Sequence, residues 1–224
     1  AVAFSPDGTK ILTGNENNPI KILDANTLEL LYTLNVYSSH FTFNHDGTIM
    51  AINNSGSGGF TLYDTKTYKP LATLEGHIIG TLEISFSPDG AMIATAGLEG
   101  NVRLWSAKDF SLLATLKEED GGFISSLGFS PDSTKLLTGC FDGTVLVRDT
   151  ETYRLLATLE GHRNFVPIVG FTTDEKKIFG VSAAGVIKFW DANTYAILYT
   201  LKEYQFESTI SGNRGPYIDS NKDG

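Results

Sequence analysis

Apolar and polar residues alternate in short runs along this chain, and the runs come in sets of four. "NVRLW" (residues 101–105) is one such run, and "PIKIL", "GFTLY", "TVLVR" and "VIKFW" occupy the same place in the other sets. A period of two marks a strand with one face turned inward. Ahead of each run stands a strand–turn–strand unit, seen most clearly at residues 82–96. There an apolar stretch leads into Ser87-Pro88-Asp89-Gly90 and another leads out. Proline brings the φ of a type I turn to its second position, and glycine suits the fourth. Acidic-Gly or Asn-rich punctuation follows, as in Glu99-Gly100-Asn101 and Phe141-Asp142-Gly143, and predicts a second tight hairpin. Each set closes on a run ending in leucine, such as "FSLLATLKEE" or "YRLLATLEGH". Its consecutive apolar residues predict a strand covered on both faces. No stretch keeps the three-and-four spacing of a helix through a dozen residues.

The sets form a repeat. Phe4-Ser5-Pro6-Asp7-Gly8 returns as Phe43-Asn44-His45-Asp46-Gly47, Phe86-Ser87-Pro88-Asp89-Gly90, Phe129-Ser130-Pro131-Asp132-Ser133 and Phe171-Thr172-Thr173-Asp174-Glu175, at intervals of 39, 43, 43 and 42 residues. The closing leucines, Leu34, Leu74, Leu116, Leu159 and Leu201, keep a spacing of 40, 42, 43 and 42. Five four-stranded units with two apolar faces apiece are stable only when stacked on one another.

These residues resemble the WD40 family of β-propellers, whose repeats of ~40–45 residues build four strands each. Gly76-His77 and Gly161-His162 match the family's Gly-His, Trp190-Asp191 its Trp-Asp, and Trp105-Ser106 the same site without the acid. The resemblance implies an all-β propeller of four-stranded antiparallel blades over residues 1–203. Residues 204–224 would be a partial further blade or a C-terminal extension. Both ends fall inside a repeat, so further blades of a larger propeller are expected outside the chain. In the family a His, Ser/Thr, Asp, Trp tetrad ties the end of a fourth strand to the next third strand. Here His77, Thr95 and Trp105 keep it with Glu99 for the acid, Thr138 and Asp142 keep half, and His162 and Trp190 stand without it. His77, Thr95, Trp105, Thr138, His162, Trp190 and Asp191 are accordingly expected to be structural. With no complete tetrad, apolar packing is expected to carry the fold.

Composition narrows the function. The 224 residues carry 17 basic against 26 acidic groups, a net charge of −9. That is a poor profile for gripping phosphate backbones, which calls for clustered Lys and Arg. Cys140 is the sole cysteine, as in a reducing compartment. No run approaches the ~18 apolar residues of a membrane span. A cytoplasmic setting, with no nucleic acid and no membrane as partner, is the expectation.

Catalysis finds few candidates. Of the four histidines, the repeat accounts for His77 and His162, His45 sits in a surface turn, and His40 leads into a first strand. No nucleophile–base constellation, zinc spacing or phosphate loop stands out. The segment Asp219-Ser220-Asn221-Lys222-Asp223-Gly224 matches the first half of a calcium loop, with Asp219, Asn221 and Asp223 as the oxygen ligands. The same residues also read as the next repeat's hairpin turn.

The reading that results is a non-catalytic scaffold, without cofactor, that binds other proteins or peptides through its loop face. The resemblance places on that face the loops after each fourth strand and the turns between second and third strands. Glu99, Asp142, Arg163 and Asn164 are the expected contacts, since charge discriminates partners. The alternatives are a calcium-dependent module with a loop starting at Asp219, or a sensory propeller attached to a catalytic domain elsewhere.

Overall fold

The computed structural model describes residues 1–38, 40–54, 58–77, 81–117 and 122–201. Within them the chain forms five four-stranded antiparallel sheets and no helix, and in every sheet the strands lie side by side in chain order. The first sheet runs Val2–Phe4, Lys10–Asn15, Asn18–Asp24 and Leu30–Leu34. The second is Phe41–Phe43, Ile49–Asn54, Gly59–Asp64 and Pro70–Leu74, and the third Thr81–Phe86, Met92–Gly97, Asn101–Ser106 and Leu112–Lys117. Ile124–Phe129, Lys135–Cys140, Val145–Asp149 and Leu155–Leu159 make the fourth, and Ile168–Phe171, Lys177–Val181, Ile187–Asp191 and Ile197–Leu201 the fifth. The sheets are those of propeller blades. The calcium-type residues Asp219, Asn221 and Asp223 lie outside the described residues.

Two side-chain staples explain why the turns recur. In the first hairpin, Ser87 Oγ donates to Asp89 Oδ1 (2.6 Å) while accepting the Met92 amide (2.8 Å), and Asp89 accepts the Ala91 amide (2.9 Å). The Ser5–Asp7 turn is built the same way, and there the Ser5 hydroxyl and the Thr9 amide hold the Asp7 carboxyl down at about 2. The fourth turn position is left-handed, with φ of 68° at Gly8 and 71° at Gly90. Where the repeat has lost its glycine, Ser133 (φ 62°) and Glu175 (φ 58°) adopt the same conformation, which costs an L-residue roughly 1–2 kcal/mol. Glu175→Gly is therefore expected to raise stability by about 1 kcal/mol, read as a higher urea midpoint with an unchanged slope. Ser133→Gly gains less, because the Ser133 hydroxyl accepts the Asp89 amide of the neighbouring sheet at 3.1 Å.

The second staple joins third strand to fourth. Asp191 Oδ1 accepts the amides of Asn193 (3.0 Å) and Thr194 (2.8 Å) and the Thr194 hydroxyl (3.1 Å). These bonds hold its carboxyl below the usual range, the Thr194 amide contributing most. Asp24, Asp64 and Asp149 do the same in their sheets. The chain then passes through a left-handed residue, Leu28, Tyr68, Phe110, Tyr153 or Tyr195, with φ between 58° and 62°.

From the second sheet onward that left-handed residue is aromatic and locks one sheet to the one before it. Tyr68 stacks on Tyr32 with centroids 4.5 Å apart, and Tyr153 and Tyr195 pack on the clusters that contain Ala114 and Ala157. Each interface is an apolar core. Leu12, Ile20, Ile22 and Leu34 of the first sheet meet Met50, Ile52 and Tyr63 of the second. Ala51, Phe60, Leu62 and Leu74 meet Ile84, Ile93 and Trp105. The same four register positions recur as Ala94, Val102, Leu104 and Leu116, then as Leu137, Val145, Val147 and Leu159.

The closing strands depart from the sequence expectation of cover on both faces. Only their final leucines are buried in the first four sheets, whereas Leu30, Leu31, Leu112, Leu113, Leu155 and Leu156 are exposed. The fourth strand is the outer edge of its sheet, and the twist between strands carries its start out of reach of the neighbouring face.

Candidate partner-binding face

The polar tetrad is complete in one sheet, although no aspartate serves it. Trp105 Nε1–H donates to Thr95 Oγ1 at 2.9 Å, and Thr95 in turn reaches His77 Nε2 at 2.9 Å. His77 Nδ1 lies 2.5 Å from Glu99 Oε1, which also accepts from Arg103 Nη1 at 2.9 Å. With His77 neutral and its proton on Nδ1, Trp105 donates to Thr95, Thr95 to His77 Nε2 and His77 to Glu99, while Arg103 Nη1, 2.8 Å from the same ring nitrogen, donates to the Glu99 carboxylate. Burial lowers the His77 pKa, against the pull of Glu99. For Glu99, burial pushes the carboxyl up, but the bonds from Arg103, its own backbone and His77 together hold it below its usual value. A glutamate reaches where the expected aspartate would have sat, being one methylene longer. Packing therefore does not hold this sheet alone.

The other two partial tetrads stay broken. Thr138 stands at the register position of Thr95, but Arg148 replaces the tryptophan, and Thr138 Oγ1 is buried with no hydrogen-bond partner among the described residues. In the fifth sheet Gly180 takes the threonine position. His162 packs edge-on against Trp190 at 5.6 Å, and neither of its ring nitrogens has a hydrogen-bond partner of good geometry among the described residues. Burial, then the nearby Lys188 charge, lowers its pKa to about 4.

The four expected contacts do not share one environment. Glu99 is 10 % exposed, its carboxylate taken up by the tetrad. Asp142 is exposed and accepts the Thr144 amide (2.8 Å) and hydroxyl (2.7 Å), which shapes its turn. Arg163 and Asn164 are exposed on the loop leading to the fifth sheet, and Asn164 Oδ1 accepts the Phe165 amide at 2.9 Å. This loop sits directly on the Asp142 turn, since a Cβ at Gly143 (φ 93°) would meet the His162 carbonyl at 2.5 Å. Asp142, Arg163 and Asn164 thus form one patch.

The same two segments carry an aromatic group that the sequence reading passed over. Phe141 stacks on Phe165, centroids 5.0 Å apart at 17°, and meets the edge of Phe123 at 5.7 Å and 81°. Phe123 and Phe141 are 48 % and 42 % exposed. Backbone bonds hold the three loops in place: Phe141 N to Phe123 O (2.9 Å), Val166 N to Cys140 O (3.1 Å) and Ala183 N to Phe165 O (2.9 Å). Two serines add to this, Ser125 and Ser126, whose hydroxyls both donate to Val166 O at 2.7 and 2.8 Å. The signal in the sequence was phenylalanine at turn positions, with Phe123 and Phe165 at equivalent places ahead of Phe129 and Phe171 and Phe141 beside the Asp142-Gly143 turn. It became legible only when three distant turns met.

The family model for the WD domain, G-beta repeat, matches residues 68–106 and 110–149. Residues 68–106 and 110–149 are WD40 repeats. Each matched WD40 repeat begins at the left-handed aromatic, Tyr68 or Phe110, and so couples the fourth strand of one sheet to the first three of the next. WD repeat and HMG-box DNA-binding protein 1 of Xenopus laevis is 31% identical over 121 residues, covering 52% of this chain and 10% of that protein. THO complex subunit 3 of Arabidopsis thaliana is 28% identical over 116 residues, 51% of this chain and 36% of that protein. Polyadenylation factor subunit 2 of Cryptococcus neoformans is 25% identical over 111 residues, or 48% and 15%. The matches thus span well under half the length of each of these relatives. Among the described residues no helix is long and apolar enough to cross a membrane.

Proposed function

We propose that the WD40 repeats form a non-catalytic platform that binds another polypeptide through the loop face of the fourth sheet. The observation that carries this is the pair of exposed phenylalanines Phe123 and Phe141 with the half-buried Phe165 stacked on Phe141, bordered by Asp142, Arg163 and Asn164. Rigid aromatic anchors surrounded by charge are the usual hot-spot arrangement of a protein interface. Strand-anchored turns hold the rings in place before binding, so little entropy is lost when a partner docks. The excess of acidic residues favours a polypeptide over a phosphate backbone. One relative is named as DNA-binding and another as a polyadenylation factor; for this chain the reading is protein binding, and the lone Cys140 suits a reducing compartment such as the cytoplasm.

Quantitative pull-down, followed by titration with the purified partner, tests the proposal. Phe141→Ser and Arg163→Glu must first show the melting temperature of the parent. Phe141→Ser is expected to weaken binding by roughly 30- to 150-fold, the 2–3 kcal/mol of a buried aromatic anchor. Arg163→Glu is expected to act mainly on the association rate and its salt dependence. A partner held equally by parent and both variants rules this face out.

A further inference from the structure

The segment that joins the fourth sheet to the fifth carries half of the proposed face, and one side chain holds it down. Leu159 before it and Val166 after it are buried in the core between the two sheets. Of residues 160–165 between these anchors, only His162 is buried, at 8 % exposure. Its ring packs edge-on against Trp190 at 5.6 Å. A Cβ on Gly180 would lie 3.2 Å from His162 Nε2 and 3.3 Å from Val166 Cγ1, so the ring sits tight against the backbone where the third sheet has Thr95.

The third sheet shows what this ring lacks. His77 has Thr95 at one nitrogen and Glu99 at the other, and that carboxylate can pair with a proton added to the ring. Neither nitrogen of His162 has a hydrogen bond of good geometry among the described residues. The Gly180 carbonyl favours a proton there, but burial and the charge of Lys188 outweigh it. Lys188 is itself fixed, its Nζ donating to Thr200 Oγ1 at 3.1 Å. Glu160 and Arg163 on the same segment and Asp142 on the facing turn are exposed, and none of them offsets the Lys188 charge at the ring. An imidazolium is therefore costly inside and ordinary once the ring swings into water.

We infer that His162 is a proton-sensitive latch: when its ring takes a proton it leaves its site, and the segment presenting Arg163, Asn164 and Phe165 comes away with it. The latch regulates the face proposed above and rests on that reading. Opening is local, because the buried Leu159 and Val166 keep the ends of the segment in place. A ring with a pKa of about 4 when seated and 6.5 when free shifts the balance toward the open form by about 30-fold between pH 7.5 and pH 5.

Amide hydrogen exchange on the free protein tests the latch without a partner. The Ala183 amide donates to the Phe165 carbonyl at 2.9 Å, while Ala192, at the other end of the same sheet, donates to the Lys176 carbonyl at 2.9 Å. After correction for the intrinsic pH dependence of exchange, Ala183 is expected to exchange about 30-fold faster at pH 5 than at pH 7.5. Ala192 is expected to remain the better protected amide at both pH values. His162→Leu is expected to abolish the acceleration. Lys188→Met keeps the titrating ring and is expected to reduce the acceleration, since the seated ring then accepts its proton more readily; it serves if the leucine variant melts early. No acceleration in the parent, or one that persists in full in either variant, overturns the latch. Equal protection of Ala183 and Ala192 shows the sheet opening as a unit and overturns it too. Each of these failures leaves the face itself to the Phe141→Ser titration, whose own failure would not alter the exchange result.

Discussion

Thr95→Val is expected to cost about 3 kcal/mol, while the same change at Thr138 costs nothing or gains up to about 1 kcal/mol. The two threonines share a register position, and valine nearly preserves their shape. Thr95 bridges Trp105 Nε1 and His77 Nε2 at 2.9 Å each, so its hydroxyl cannot be lost without leaving a buried donor and a buried acceptor unpaired. Such an orphan costs roughly 1–3 kcal/mol apiece. The Thr138 hydroxyl is already buried with no hydrogen-bond partner among the described residues, so valine removes an unpaired group and nothing else. Thermal unfolding reads the difference, at about 2–4 °C per kcal/mol for a chain of this size. Equal shifts for the two variants would show that the tetrad contributes no more than packing does.

Acid will weaken the fold through His162. Its folded pKa of about 4 lies below the ordinary 6.5, so between these values the unfolded chain binds a proton that the folded chain refuses. Stability from this ring is complete above pH 6.5 and drains away as pH falls to about 4, by roughly 2 kcal/mol after allowing for partial solvent contact. Half-buried Glu83 runs the other way in an overlapping window. Desolvation raises its carboxyl from 4.5 to about 7, so its contribution is present below 4.5 and is lost as pH rises through 7. The parent profile is the difference of the two, and variants separate them. Urea midpoints of His162→Leu should lose the acid-side fall between pH 6.5 and 4, and those of Glu83→Gln should steepen it. A parent and His162→Leu with parallel profiles would show that the ring is protonated in the folded protein.

A good share of this protein was legible in the sequence alone. Turn chemistry did most of that work, because Ser-Pro-Asp-Gly fixes φ and supplies its own hydrogen bonds within six residues, so local residues suffice to define it. The closing leucines fixed the register for the same reason. In the first four sheets they recur at the one position on the outer strand that the next sheet reaches. The periodicity could not show how far that cover extends, and it misjudged the exposed starts of the fourth strands, since twist accumulates only in the assembled sheet.

What the tertiary structure decided concerns groups far apart in the chain. Arg103 lies only four residues from Glu99, but His77 lies 22 residues earlier, and the folded sheet alone shows that a glutamate at the acid position completes the tetrad. Phe123, Phe141 and Phe165 read as isolated turn residues until three loops brought their rings together. Local sequence writes strands, turns and register because those depend on neighbours within a few residues. Which of the resulting apolar faces stay open depends on what stacks against them, and that is a property of the folded array.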